Sequence, residues 1–187
     1  MVRPLARTPV TPNQLTTLRL ITGLAAAGAY AMGEVVWTYW ASAIFVVSIL
    51  LDRADGELAR LTGRTTEWGH TYDIIGDAIC NLAVLVGIGV GLRHGALGLW
   101  SVGLGVIGGV AVAVIVGLVV RFESERGARS FHVAGFAGFD PDDAMLIVPL
   151  AMVLGGGVPL IIAAAVAAPV CAALFFLEAR RRRGKML

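Results

Sequence analysis

The chain has 187 residues, of which 57% are hydrophobic and 15% are charged, and its formal net charge is +2. Because about 25% of the residues of a soluble domain are charged, this composition excludes an ordinary soluble domain and indicates a polytopic membrane protein. The two cysteines, Cys80 and Cys171, lie in apolar segments, which favours buried thiols over a disulfide framework or a redox pair.

Six apolar runs follow one another along the chain, at residues 14–32, 36–51, 74–92, 97–120, 144–154 and 158–177. A helix needs about 20 residues to cross a bilayer. The runs therefore predict an all-α, polytopic integral membrane protein with six transmembrane helices, folded as a single domain over residues 1–187.

Two of these runs are short for a crossing. The second predicts a helix that continues through Asp52 to about Leu61, so that its last turns leave the membrane and carry acidic residues. The fifth predicts a helix that begins near Asp142, directly after Asp140 and Pro141, a pair that is typical of a helix start.

Basic residues indicate the orientation. With the N-terminus inside, 14 of the 15 lysines and arginines fall on one side of the predicted membrane, and Arg93 falls on the other. The positive-inside rule then predicts that both termini are cytoplasmic, together with loops at about residues 60–72 and 121–141. We expect residues 1–11 to form a cytoplasmic segment without a removable signal peptide, and residues 178–187 a basic cytoplasmic tail. This topology predicts a protein of the cell inner membrane.

Four aspartates lie in two pairs beside the apolar segments. Asp52 and Asp55 are three residues apart, and Asp73 and Asp77 are four apart, so on helices each pair lies on one face. Two antiparallel helices can bring all four carboxylates together on the cytoplasmic side. An aspartate at the bilayer centre costs roughly 2.5–3.5 kcal/mol, and converging carboxylates repel one another. The pattern therefore predicts one or two bound divalent metal ions.

The wider pattern around these acids is D-x-x-D-G-x-x-A-R, eight residues, then G-x-x-x-D-x-x-x-D. It resembles the signature of the CDP-alcohol phosphotransferase (CDP-alcohol phosphatidyltransferase) family, and every fixed position matches: Asp52, Asp55, Gly56, Ala59, Arg60, Gly69, Asp73 and Asp77. The opening at residues 11–19, TPNQLTTLR, also resembles the start of the first helix in that family.

The resemblance implies an enzyme of phospholipid biosynthesis, in which an acceptor hydroxyl attacks the β-phosphorus of a CDP-alcohol, commonly CDP-diacylglycerol, and CMP leaves. It implies that Asp52, Asp55, Asp73 and Asp77 hold two Mg²⁺ ions, for which Mn²⁺ can substitute, since hard cations favour oxygen ligands. Asp77 is also the implied catalytic base. The implied partners are membrane lipid and a second copy of the chain in a homodimer, with no nucleic acid.

The remaining motif residues are implied to bind the nucleotide. Gly56 and Ala59 are expected on the nucleotide-facing side of the second helix, where small residues let phosphates and cytidine approach the backbone. Gly69 allows a turn or a close contact before the third helix. Arg60 either pairs with phosphate or holds the acidic cluster in place. His70 occupies a variable position and is interpreted as a solvated loop residue.

The sequence does not identify the acceptor alcohol. Arg121, Arg126 and Arg129 lie on the predicted cytoplasmic side, where they serve topology and the anionic leaflet or bind a phosphorylated acceptor such as inositol phosphate or glycerol phosphate. Glycine-rich stretches at residues 87–91 and 103–109 predict close helix packing or a dimer face.

Two other functions are compatible with acids beside apolar helices. A membrane prenyltransferase also holds a diphosphate through aspartates and Mg²⁺, but it needs two separated aspartate-rich motifs, and the sequence has one cluster. A divalent-cation carrier predicts acids through the membrane depth, whereas all of the 13 acidic residues except Glu34 fall toward the predicted cytoplasmic side. Both alternatives therefore fit less of the sequence than the transferase does.

Overall fold

The structure, a computed structural model, describes residues 8–63, 66–126 and 145–183. These residues form six α-helices and one short 3-10 helix, and no strand occurs among them, as the all-α prediction requires. In chain order the helices are α1 (Pro12–Ala31), α2 (Val35–Thr62), α3 (Glu67–Gly91), the 3-10 helix (Leu92–His94), α4 (Trp100–Arg126), α5 (Ile147–Val153) and α6 (Gly157–Arg183).

Helix α2 is longer than its apolar run, as predicted. It continues through Asp52 and Asp55 and ends at Thr62, where Gly63 adopts a left-handed conformation with φ of 64° that favours glycine. Helix α3 begins seven residues before its apolar run because the Thr66 side chain accepts a hydrogen bond from the Gly69 N–H at 3.0 Å and caps the first turn. Helix therefore occupies most of the loop expected at residues 60–72.

Four of the described helices are long and apolar enough to cross a membrane: α2, α3, α4 and α6. The chain is therefore an integral membrane protein. Helix α5 has seven residues, about 10 Å of rise, which is too short to cross by itself. Its predicted start near Asp142 lies outside the described residues, as do Asp140, Pro141 and Arg129.

Helix α1 packs against both α2 and α3, while α4 packs against α3 and α6. The buried residues of α1 recur every three or four positions, which is the spacing of one helix face. They are Leu15, Thr16, Arg19, Gly23, Ala26, Ala27 and Tyr30. The apolar end of this face joins Phe45, Val84 and Ile88 in the main core. The other end carries Thr16 and Arg19 toward the aspartates of α2 and α3.

Glycines bring neighbouring helices into backbone contact. A Cβ on Gly87 would lie 2.2 Å from the carbonyl oxygen of Ala27, and one on Gly105 would lie 2.5 Å from that of Leu85. Such small residues let helix backbones approach closely. The glycine-rich stretches of α3 and α4 therefore serve packing within the chain, one of the two predicted uses.

We expect Gly87→Ala to destabilise the protein by about 1–3 kcal/mol or more, because the added methyl overlaps a backbone oxygen that cannot rotate away. Unfolding of the purified protein in micelles, followed by circular dichroism, measures this loss. Gly28→Ala on α1 is the matched control, since its Cβ would meet nothing within 4 Å. Equal stability of the two variants would contradict the packing interpretation.

Arg93 connects α1 and α3 by hydrogen bonds at the end of the helix bundle that lies opposite the aspartates. Its Nη1 donates to the carbonyl oxygens of Ala31 at 3.1 Å and Val90 at 2.7 Å. These carbonyls lie at the C-terminal ends of α1 and α3, where the regular hydrogen bonds of a helix run out. Arg93, the one basic residue predicted on the other side of the membrane, thus has a structural role.

Candidate metal and nucleotide site

The first turns of α1 are held in place by a reciprocal cap. The Thr11 N–H donates to Gln14 Oε1 at 3.0 Å, and the Gln14 N–H donates to Thr11 Oγ1 at 3.4 Å. Pro12 follows the cap at the first helical position, where its missing N–H costs nothing. This start sets the positions of Thr16 and Arg19 one and two turns later.

The start of α3 is attached to α1 by aromatic side chains. The Tyr72 hydroxyl lies 3.0 Å from Thr17 Oγ1, and the Tyr72 ring stacks on Trp68 with centroids 5.3 Å apart. These contacts set the first turns of α3 against the first turns of α1. Asp73 follows directly, and its carboxylate accepts a hydrogen bond from Arg19 of α1 at 3.0 Å.

Three of the four predicted aspartates converge. Asp52, Asp55 and Asp73 each offer a carboxylate oxygen, and these atoms all lie within 4.8 Å of one another. Asp55 is almost fully buried, with 3% of its surface exposed, and accepts a hydrogen bond from Thr16 Oγ1 at 2.8 Å. A set of oxygen donors from two helices is the chemistry that Mg²⁺ and Mn²⁺ prefer, so these residues fit the implied metal.

Arg19 lies at the centre of the acidic cluster. Its side chain is 5% exposed, and its Nη1 contacts Asp52 Oδ1 at 2.5 Å and Asp73 Oδ1 at 3.0 Å. The positive-inside rule treats Arg19 only as a topological charge, so this role was not predicted from the sequence. The available signal was its position on the buried face of α1, since an ionisable residue inside a membrane helix indicates a functional site.

Asp77 joins the cluster through Arg19 rather than through the other carboxylates. It pairs with Nη2 of Arg19 and lies outside the group of three that converge. The predicted set of four thus separates into three converging carboxylates that could hold a metal ion and Asp77, which joins them through its ion pair with Arg19.

Three of the four predicted nucleotide residues, Gly56, Ala59 and Gly69, line one groove of about 140 Å³, here called the motif groove, beside the converging carboxylates. Its lining includes Asn13, Gly56, Ala59, Gly69, His70 and Asp73. His70 is exposed on the first turn of α3, not in a loop, and it faces this groove. The small residues and the acids of the motif therefore share one surface.

The two motif glycines have different surroundings. A Cβ on Gly56 would meet nothing within 4 Å, whereas one on Gly69 would lie 3.0 Å from both Asn13 Oδ1 and Thr66 Oγ1. Gly69 thus allows close contact between α3 and α1, one of its two predicted uses. Gly56 leaves open space in the motif groove.

Arg60 is exposed near the end of α2. Within the described part of the chain, no ion pair joins it to the four aspartates. Asp52, Asp73 and Asp77 pair with Arg19 instead, and Asp55 accepts a hydrogen bond from Thr16. Of the two roles considered for Arg60, contact with phosphate stays a prediction.

A second cavity, here called the inner cavity, has a volume of about 230 Å³ and lies on another side of the cluster. It is lined by Arg19, Asp52 and Asp77 together with Ser48, Asn81 and apolar side chains of α2 and α4. Asp77 faces this inner cavity, whereas Asp55 and Asp73 face the motif groove. The cluster therefore borders two separate spaces.

Comparison with known proteins gives matches along most of the chain. A family model described as CDP-alcohol phosphatidyltransferase matches residues 9–177. The archaetidylinositol phosphate synthase of Pyrococcus horikoshii is 37% identical over 90 residues, which are 48% of this chain and 46% of that protein. The phosphatidylinositol phosphate synthase of Streptomyces avermitilis is 28% identical over 169 residues, which cover 79% of this chain and 67% of that protein. The chain thus spans about half the length of the archaeal relative.

Two crystal structures of the phosphatidylinositol phosphate synthase of Mycobacterium tuberculosis have the same fold. The form with CDP-DAG bound has a TM-score of 0.72 at 22% identity, with coverage of 94% of this chain and 89% of that chain. The complex with manganese and citrate has a TM-score of 0.69 at 23% identity, with coverage of 93% and 86%. At this identity the likeness shows that the fold is shared.

Proposed function

Because this chain belongs to the CDP-alcohol phosphatidyltransferase family, we propose that it transfers a substituted phosphate group from a CDP-alcohol to an acceptor hydroxyl and releases CMP. The observation that carries this proposal is the convergence of Asp52, Asp55 and Asp73 beside the motif groove. Family membership favours this reaction over a prenyltransferase or a cation carrier.

The proposed cofactor is Mg²⁺, with two ions bound and Mn²⁺ as a substitute. Asp52, Asp55 and Asp73 would hold it, and Asp77 is a proposed further ligand. The manganese in the mycobacterial neighbour supports this choice of metal. Bound Mg²⁺ screens the charge of the pyrophosphate and stabilises the leaving phosphate.

The proposed donor is CDP-diacylglycerol, with its cytidine diphosphate in the motif groove. The CDP-DAG bound to the mycobacterial neighbour supports this donor. Gly56 and Ala59 leave room for the nucleotide to approach the backbone of α2. Arg60, exposed at the same end of α2, is proposed to pair with a phosphate oxygen.

Asp77 is the proposed base. It faces the inner cavity, so an acceptor that enters this space can present its hydroxyl to Asp77 while the donor occupies the motif groove. Asp77 then takes the proton of the attacking hydroxyl. Entry through two separate spaces would keep the nucleophile and the leaving CMP apart, which is compatible with an in-line displacement.

The proposed acceptor is a phosphorylated alcohol, inositol phosphate in the first place and glycerol phosphate in the second. The names of the two sequence relatives support an inositol phosphate acceptor. Its phosphate group requires cationic partners, and Arg121, Arg126 and Arg129 are proposed to supply them.

We further propose six crossings with both termini and the acidic cluster on the cytoplasmic side of the inner membrane. The bias of 14 basic residues among 15 supports this orientation. A homodimer is also proposed. Exposed apolar side chains along α4, such as Val106, Ile107 and Val110, are available for a contact, and crosslinking in membranes tests it.

The test of the function is CMP release by the purified full chain with Mg²⁺ and CDP-diacylglycerol. The acceptors are inositol phosphate, glycerol phosphate, inositol and serine, each in a separate reaction. We expect the highest rate with inositol phosphate. Absence of CMP with every acceptor, together with Mg²⁺ flux into liposomes, would favour the carrier instead.

We expect Gly56→Val to raise the KM for the CDP-alcohol at least about tenfold, because its side chain fills the motif groove. The melting temperature should stay within about 2 °C, since a Cβ at this position meets nothing within 4 Å. Gly28→Val on α1 is the matched control, because its Cβ also meets open space. Unchanged KM in Gly56→Val would contradict nucleotide binding in the motif groove.

A further inference from the structure

A buried arginine occupies the position where α1, α2 and α3 meet. Arg19 comes from α1, Asp52 from α2, and Asp73 and Asp77 from α3. Its side chain is 5% exposed, and burial of a guanidinium is costly unless carboxylates pair with it. The three ion pairs supply that compensation, so the arginine and the acids depend on one another.

The contacts of Arg19 overlap with those of the implied metal. Nη1 lies 2.5 Å from Asp52 Oδ1 and 3.0 Å from Asp73 Oδ1, and both residues belong to the group of three that can hold a metal ion. Asp55, the third member, accepts its hydrogen bond from Thr16. A guanidinium and a divalent cation would therefore bind two of the same carboxylates.

We propose that Arg19 is a positioning residue that holds Asp52, Asp73 and Asp77 together and competes with the divalent cation for Asp52 and Asp73. The inference rests on the proposed function, because it requires that the acidic cluster binds a metal ion. Arg19 balances part of the repulsion among the carboxylates when the cation is absent. Metal loading then transfers Asp52 and Asp73 from the guanidinium to the ion.

The backbone around Arg19 permits a side-chain test. Ser48 Oγ donates to the Arg19 carbonyl oxygen at 3.0 Å, and Thr16 separately joins α1 to Asp55 on α2. Neither bond uses the guanidinium, so both remain in an Arg19 variant. Arg19→Gln removes the charge, and Arg19→Lys keeps it but loses the planar fork that reaches several carboxylates at once.

The experiment measures Mn²⁺ binding to the purified full chain by electron paramagnetic resonance, and melting temperature with EDTA or saturating Mn²⁺. We expect Arg19→Gln to bind Mn²⁺ about tenfold more tightly, because a neighbouring positive charge has been removed. Its melting temperature should fall by about 5 °C or more in EDTA and recover with Mn²⁺. Arg19→Lys should lie between wild type and Arg19→Gln in both measurements.

Arg93→Gln is the matched control, because Arg93 binds only backbone carbonyls at the opposite end of α1 and α3 in the contacts that the structure describes. It should lower the melting temperature without changing Mn²⁺ affinity. Equal or weaker Mn²⁺ binding by folded Arg19→Gln overturns the inference. If Arg19→Gln does not fold, equal or weaker binding by Arg19→Lys overturns it. Lack of Mn²⁺ binding by the wild type and every variant instead contradicts the proposed function.

Discussion

Asp73→Asn should reduce CMP release at least about a hundredfold, because metal coordination contributes several kcal/mol to the transition state and each 1.36 kcal/mol changes the rate tenfold. We expect the same of Asp52→Asn and Asp55→Asn, since the three carboxylates converge within 4.8 Å. The measurement is CMP release at saturating CDP-diacylglycerol, combined with Mn²⁺ affinity of the same sample. Both quantities should fall together.

Glu57→Gln is the matched control for these substitutions. Glu57 lies on the same helix, between Asp55 and Arg60, but its side chain is exposed and is not one of the converging ligands. Its removal changes the charge by the same amount and should leave CMP release within about twofold of wild type. Retained turnover in Asp73→Asn, or an equal loss in Glu57→Gln, would refute a metal site built from these three carboxylates.

Asp77→Asn should separate catalysis from metal binding. Loss of a general base lowers the rate by about 10²–10⁴-fold, and we expect a decrease in that range. Mn²⁺ affinity should change much less than in Asp73→Asn, because Asp77 lies outside the group of three and pairs with Arg19. The two variants are compared by CMP release and by electron paramagnetic resonance of bound Mn²⁺.

The result for Asp77 has two informative alternatives. A loss of Mn²⁺ affinity equal to that of Asp73→Asn would make Asp77 primarily a metal ligand. Unchanged turnover would exclude Asp77 as the base. In the latter case another group bordering the inner cavity, such as Asn81, would have to orient the acceptor.

The sequence predicted the helices well where local periodicity and hydropathy decide the structure. The six apolar runs coincide with the six described helices, and the spacing of Asp52 and Asp55 correctly put both on one face near the end of α2. The early start of α3 was missed because its first two turns are polar. Thr66 stabilises that start by capping, and hydropathy does not register a cap.

The contacts of Arg19 and Thr16 could not be predicted from local patterns. Their partners are 33 to 58 residues away in the chain, on α2 and α3, and only the packing of α1 between these helices brings the groups together. The positive-inside rule treats Arg19 as one more cytoplasmic charge, although its side chain is buried. The division of the four aspartates into three plus one follows from this same tertiary contact.

The backbone contact between Gly87 and Ala27 has a mechanical consequence for catalysis. The backbones of α1 and α3 are in contact there, about 12 Å along α1 from Arg19. If the crossing angle between α1 and α3 changes by about 5° at this contact, the parts of the two helices that lie about 12 Å away move by about 1 Å. Displacements of that size at a reacting centre slow enzymes by about a hundredfold. Substitutions near the ends of these helices that lie opposite the aspartates are therefore expected to affect turnover, although they touch neither metal nor substrate.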